Sequence, residues 1–394
     1  MISKAIFRDQ WSFGEDIWAL KACQLDENLF VCSSSSGQIA VFSISAFNTP
    51  ILQFKAHDTS INDLIVISNK LVASCSEGGV KVWDLSTPCT LPVHFFTNDK
   101  NSNFLSLAVN PESTILAAGT ELQGVDAELH LWDLKTGDAV RSFVDSHHDD
   151  ITHIQFHPTI SKYLMSGSTD GYVNVYNLDE KEEEDALHQV INFALVHSCS
   201  FIQDHRIAVL SHMETIGVFE LNSTNYEQVE EPEPVLLGDV RENWPDCEYV
   251  IDLYPGYVAF GANSEQKLTL CPFNPIQEKV DLENAIQFRG AHGEEVVRDV
   301  MVIAGQKHVV TVGEDSFVRL WEILITISSS WIDPKTEDTP MDVVEETEEK
   351  AKKDKSKEKK HKDKKDKKEK KDKKDKKDKK SKRKDKKEVR YKPY

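Results

Sequence analysis

Residues 147–178 read HHDDITHIQFHPTISKYLMSGSTDGYVNVYNL. A His opens a turn before an apolar-alternating run (Ile151, Ile154, Phe156) that stops at Pro158. A second run, 163–168, ends at Thr169-Asp170-Gly171, a tight hairpin signal, and a third, 172–178, alternates again and carries Tyr176. This is the pattern of a three-stranded antiparallel meander with an aromatic near its exit. One meander cannot bury both of its faces, so the pattern demands copies of itself.

The aromatic recurs at Phe42, Trp83, Trp132, Tyr176, Phe219, Phe273 and Trp321. Two copies carry Trp-Asp outright, KVWDL (81–85) and HLWDL (130–134), and RLWEI (319–323) comes close. The spacing falls near the ~40–45 residues of a four-stranded WD blade. Seven uninterrupted copies predict an all-β chain folded as a seven-bladed WD-repeat β-propeller. A short fourth strand follows the aromatic in six copies: 51–54, 93–96, 139–143, 188–192, 234–237 and 285–288. None is evident after Trp321, so residues 4–9 are expected to complete the last blade and close the ring.

Within each blade, a His, a Ser or Thr, an Asp and the aromatic are expected to share buried hydrogen bonds, a structural role rather than a catalytic one. The fourth blade offers His147, Ser168 and Asp170, with Tyr176 in the Trp place. The second offers His57, Ser76 and Trp83, with Glu77 in a hairpin that looks one residue short. The seventh offers His292, Asp315 and Trp321, with Gly313 where a Ser is expected. The third offers Asp126 and Trp132 and lacks the His.

The segments AAGTELQGVDAELHLWD (117–133), SHHDDITHIQFHP (146–158), SGSTDGYVNVYNL followed by EEEDAL (166–187), GAHGEEVVRDV (290–300) and VGEDSFVRLWE (312–322) resemble the WD repeat-containing protein 89 family. The likeness includes the long hairpin at 120–128 and the acidic loop after Tyr176. It implies a WD-repeat scaffold without an assigned reaction, and it does not require the Lys-rich end.

Charge divides the chain. Residues 1–331 hold 48 acids and 19 bases, and 332–350 hold 8 and 2, whereas 351–394 hold 10 acids and 26 bases. The reading is a propeller over 1–331, an acidic linker over 332–350 and a disordered Lys-rich tail over 351–394. The tail has almost no apolar residues to offset the entropy of ordering, although its charge spacing supports transient helix. Lys379, Lys380, Lys382, Arg383 and Lys384 form a basic cluster suited to nuclear localisation. Interleaved acids dilute the tail's charge, so weak, salt-sensitive contact with RNA or another polyanion is expected, and sequence-specific readout is not.

Loops alternate ends in a meander. Those between strands two and three, and between blades, share one face, which carries 120–128 and 238–248. Those between strands one and two, and three and four, share the other, which carries 179–185 and 227–233. Arg241 and Trp244 on the first face form the Arg/aromatic pair that anchors interfaces. Glu182, Glu183 and Glu184 on the second would steer basic partners. In each case the alternative is a solvated loop or a Trp tucked against a blade.

No catalytic, cofactor or metal site is expected. His153 and His157 look like a metal-binding pair but lie on a strand, where four residues span ~13 Å. The glycines at 78–79 belong to a hairpin, and clustered carboxylates sit in loops without an apolar pocket. The seven scattered cysteines lack metal-site spacing and read as buried free thiols. Neither a secretory h-region nor a run of ~18 apolar residues is present. The expectation is a non-catalytic scaffold for protein–protein contact, a monomer within a larger complex, in the nucleus or nucleolus, with the cytoplasm as alternative. The runner-up is an acidic-faced binder or escort of basic proteins such as histones or ribosomal proteins.

Overall fold

The computed structural model describes residues 3–223 and 232–328. The acidic linker, the Lys-rich segment with its basic cluster, and residues 224–231 lie outside the described residues.

The described chain forms seven sheets, six of them four-stranded and antiparallel and one six-stranded. The first blade runs Ala19–Gln24, Leu29–Ser34, Gln38–Ser43 and Leu52–Lys55 from the centre outward. The founding repeat is the fourth blade: Ile151–Phe156, Tyr163–Ser168, Tyr172–Asn177 and Leu187–Asn192. Each alternating run became a strand because its apolar residues are needed on both faces, one toward each neighbouring blade. The core accordingly divides into seven clusters, one per blade–blade interface. Trp83 and Leu64 pack with Val31 and Ile39 between the first two blades. Phe30, Phe42, Val310 and Leu320 pack between the first and the seventh. The ring is therefore closed.

Closure differs in detail from the strand expected at 4–9. Ile6–Ser12 is the outer strand of the seventh blade, antiparallel to Phe317–Glu322. Ser3–Lys4 runs parallel to Ile286–Arg289, at the outer edge of the sixth. Ala5 lies between these two strands and packs in the interface of blades six and seven. One short segment thus holds two blades. At the other end, Ile327 is buried in the same interface. Ser328 closes on the turn before the second strand of the sixth blade, where a Cβ on Gly256 would meet its carbonyl oxygen at 2.4 Å.

The innermost strands have a feature the alternation did not show. In six of the seven, pairing with the second strand slips by one residue at the same point: between Ala19 and Lys21, Phe104 and Ser106, Ile151 and His153, Val196 and Ser198, Val250 and Asp252, and Val297 and Asp299. Each bulge re-aims the residues on either side of it. The residue after it, with Asp63 of the second blade, occupies the same place in each inner strand: Lys21, Asp63, His153, Ser198, Asp252 and Asp299 line the axial channel, while Ser106 is buried and donates to Ile151 O of the next blade.

Candidate functional site

The blade hydrogen-bond groups tie the loops of each face to the strands beneath them. In the second blade His57 Nε2 lies 2.8 Å from Ser74 Oγ, and Trp83 Nε1 donates to the same Oγ at 3.1 Å. His57 Nδ1 lies 2.6 Å from Ser76 Oγ. Ser74, not Ser76, is the relay, and Ser76 stands in the Asp place. In the fourth blade His147 bridges Asp170 (2.9 Å) and Ser166 (2.7 Å), whose Oγ stands 3.3 Å from Tyr176 Oη. Ser168 instead caps the hairpin, accepting from Asp170 N and donating to Asp149 O.

In the seventh blade His292 bridges Asp315 (2.7 Å) and Thr311 (2.9 Å), and Trp321 donates to Thr311. Gly313 is not a missing Ser: a Cβ there would lie 2.6 Å from His292 Nδ1. The third blade departs furthest. Asp126 pairs with His148 of the next inter-blade loop rather than with a His of its own blade, and Trp132 stacks on Phe96 at 5.0 Å. Buried Glu128 takes over, held by Asn98, Lys100 and His130 at 2.7–2.8 Å.

Burial holds His57 down at about 4, with the Lys81 charge acting in the same direction. An unfolded imidazole titrates near 6.5, so between these values the unfolded chain binds more protons. Stability should therefore fall as pH drops from ~6.5 toward ~4, by up to about 3 kcal/mol from this group. Urea unfolding across that range should show the loss, and His57→Asn should flatten part of it.

The candidate contact residues divide. Trp244 is only 7% exposed and packs 5.2 Å from Phe260 in the interface of blades five and six, so it is core and not an anchor. Arg241 is exposed and chelated by Asp239, Nη2 to Oδ2 at 2.7 Å. Glu183 belongs to the short helix Glu183–Ala186, and its carboxylate accepts from Val144 N, Asp145 N and Ser146 Oγ of the third blade. It braces two blades and is not free to steer a partner. Glu182 and Glu184 are exposed.

Sequence reasoning missed the channel. Asp63 Oδ2 accepts from Leu107 N at 2.8 Å, Asp299 Oδ2 from Ala22 N at 2.9 Å, and Gln155 Oε1 from Phe201 N at 2.6 Å. Each reaches into the next blade to satisfy an inner-strand N–H that no further strand can pair. Lys21 Nζ bonds Asp63 Oδ1 at 2.5 Å; against the cost of burial, the charges of Asp63 and Asp299 hold its pKa high. Burial raises Asp299, opposed by Lys21. Burial also lowers His153, opposed by Asp252. At the mouth, on the face of the inter-blade loops, Trp18 is 41% exposed, and the Arg298 guanidinium lies over its ring at 5.2 Å. The same face presents Leu122, Val125, Leu195 and Met213 as exposed apolar side chains.

A family model described as WD domain, G-beta repeat matches residues 48–84 and 137–177. An uncharacterized WD repeat-containing protein of Saccharomyces cerevisiae is 44% identical over 79% of this chain and 80% of its own. The chain belongs to the WD repeat-containing proteins. An uncharacterized WD repeat-containing protein of Schizosaccharomyces pombe is 30% identical over 76% of this chain and 93% of its own. A WD repeat-containing protein 89 homolog of Dictyostelium discoideum is 27% identical over 54% of this chain and 57% of its own. In this WD-repeat protein the His, Ser, Thr and Asp groups of the second, fourth and seventh blades are engaged in hydrogen bonds within their blades.

Proposed function

We propose that this chain is a non-catalytic scaffold that binds proteins through the face of its inter-blade loops. It acts in the nucleus or nucleolus as a monomer within a larger complex. The observation that carries the reading is the set of exposed apolar side chains on the face of the inter-blade loops, headed by Val125, 77% exposed at the tip of the 120–128 hairpin. The hairpin is held from below: Leu122 N donates to Asp150 Oδ1 at 2.8 Å, and Asn103 donates to Glu121 at 3.0 Å. An apolar tip on a braced loop loses little entropy on docking, which favours a contact role over a solvated one. The Lys-rich segment then serves as address and weak polyanion contact.

The second reading, an acidic-faced binder of basic proteins, is favoured by Glu182 and Glu184, exposed on the opposite face. Affinity purification of the full chain separates the two. Leu122→Asp with Val125→Asp is expected to cut recovery of co-purifying proteins by about tenfold, the loss of one interface hot spot. Glu182→Lys with Glu184→Lys should leave it unchanged. The reverse pattern supports the acidic-face reading, and insensitivity to both pairs overturns the scaffold. Alanine at Lys379, Lys380, Lys382, Arg383 and Lys384 should lower nuclear accumulation.

A further inference from the structure

The channel has a second end, on the face of the turns between strands one and two. Two cavities of about 270 and 420 Å³ open there and share His153 and Gln155. The larger is otherwise walled by apolar side chains, among them Ile65, Val109 and Phe156, with Pro111 and Pro158 exposed at its rim. Its two polar residues are drawn to the fifth blade: Gln155 Oε1 accepts from Phe201 N, and His153 Nδ1 lies 3.8 Å from Cys199 Sγ. What remains is an apolar wall that no side chain covers among the described residues. The described chain stops at the same place. Ser328, its last residue, backs onto Gly256, and the neighbouring Tyr254 and Pro255 line the smaller cavity. From Ile323 to Ile332 the sequence, ILITISSSWI, carries no charge, and Asp333 is the first. Trp331 follows Ser328 by three residues, a reach of ~10 Å before the indole adds its own length.

We propose that Trp331 and Ile332, which lie outside the described residues, occupy this end of the channel, the indole against the wall of Ile65, Val109 and Phe156. The occupant is the chain's own segment because of where the described chain stops and how short the tether is. Only Ser329 and Ser330 separate Trp331 from Ser328. A short tether holds what it carries at an effective concentration in the millimolar range. A free segment of equal affinity would need the same concentration to compete. The stretch also brings no charge to desolvate, and a Trp offers ~150–250 Å² of surface to bury. Any partner that uses this end of the channel must first displace Trp331. The proposal stands apart from the reading that the inter-blade loops bind proteins, since it concerns the opposite face.

The test is tryptophan emission from the full chain in dilute solution. Subtracting the spectrum of Trp331→Phe isolates Trp331 from the six other tryptophans. Its emission should be blue-shifted from that of free tryptophan and several-fold less quenched by acrylamide. Val109→Glu, and separately Ile65→Glu, each with its own Trp331→Phe background, should return it to the free-tryptophan spectrum. Val125→Glu on the opposite face should leave it shielded. Val109 and Ile65 are half-buried on different blades, so the second variant serves if circular dichroism shows the first unfolded. A free-tryptophan spectrum in the unaltered chain overturns the proposal whatever the glutamate variants do. If anilinonaphthalene sulfonate then fluoresces on the chain and Val109→Glu abolishes the signal, the cavity belongs to a partner's apolar segment. Shielding that neither glutamate disturbs puts Trp331 elsewhere and also overturns it. Shielding that grows with protein concentration assigns the cavity to Trp331 of a second copy instead.

Discussion

A chain lacking residues 1–12 should melt at least ~10 °C below the full chain, or lose its cooperative transition. Six residues of the deleted segment are in register with Phe317–Glu322. Its removal leaves that strand's outer edge without partners and exposes Trp321, on which Phe7 packs edge-on at 5.4 Å. It also takes away Trp11, which lies 4.9 Å from Phe13 and 5.1 Å from Phe42 in the interface of blades seven and one. Truncating one buried aromatic costs about 3–5 kcal/mol. Trp11 is half-buried, but the ladder and Phe7 are lost with it, so about 5 kcal/mol is a reasonable floor. At ~2 °C per kcal/mol for a domain of this size, the shift follows. Differential scanning calorimetry reads it directly, and an unchanged midpoint would mean that the ring is held by its interfaces without the strap.

His147→Ala should destabilise the fold by about 3 kcal/mol in urea unfolding. The imidazole is fully buried and joins Asp170 on one side to Ser166 on the other. Burial alone would raise the Asp170 pKa; the His147 bond and charge more than reverse that and hold it below the usual carboxylate range. Removing the ring leaves two buried polar groups short of a partner, at ~1–3 kcal/mol each, in addition to a cavity. Ser166→Ala should cost about 1–2 kcal/mol, and the double variant less than the sum, since both break one network. Ser168→Ala should cost about 1 kcal/mol as a lost hairpin cap and add independently of His147→Ala. That contrast separates the relay from the cap; equal coupling of both serines to His147 would contradict the geometry.

Ser166 and Ser168 stand two apart on one strand, so both project to the same side. Only hairpin length decides which of them faces the imidazole. Ser74 and Ser76 repeat the ambiguity in the second blade, and Thr311 with Gly313 in the seventh. The seven aromatics were legible because a large ring near the end of the third strand fills a blade interface at a regular interval. The channel ring was not legible, because a one-residue bulge shifts side chains between faces and the seven positions hold four residue types. Trp244 misled because Asn-Trp-Pro resembles an exposed loop. The 3-10 turn Val240–Glu242 folds it inward instead. Glu183 misled because a run of acids resembles solvent-facing charge, and nothing local shows that three donors of another blade wait for the middle one.

The strap at residues 3–12 joins strands that lie some 300 residues away along the chain. This segment leaves the ribosome well before the strands it pairs with. Until residue 322 is made, Phe7 and Trp11 must stay solvated or be shielded by a chaperone, and the nascent ring has an open seam. Bringing such distant pieces together is slow, since closure entropy is lost before any contact forms. Synthesis that stalls within the sixth or seventh blade would therefore leave a sticky, unsealed intermediate, and bulk fused ahead of Ser3 would hinder the final stitch.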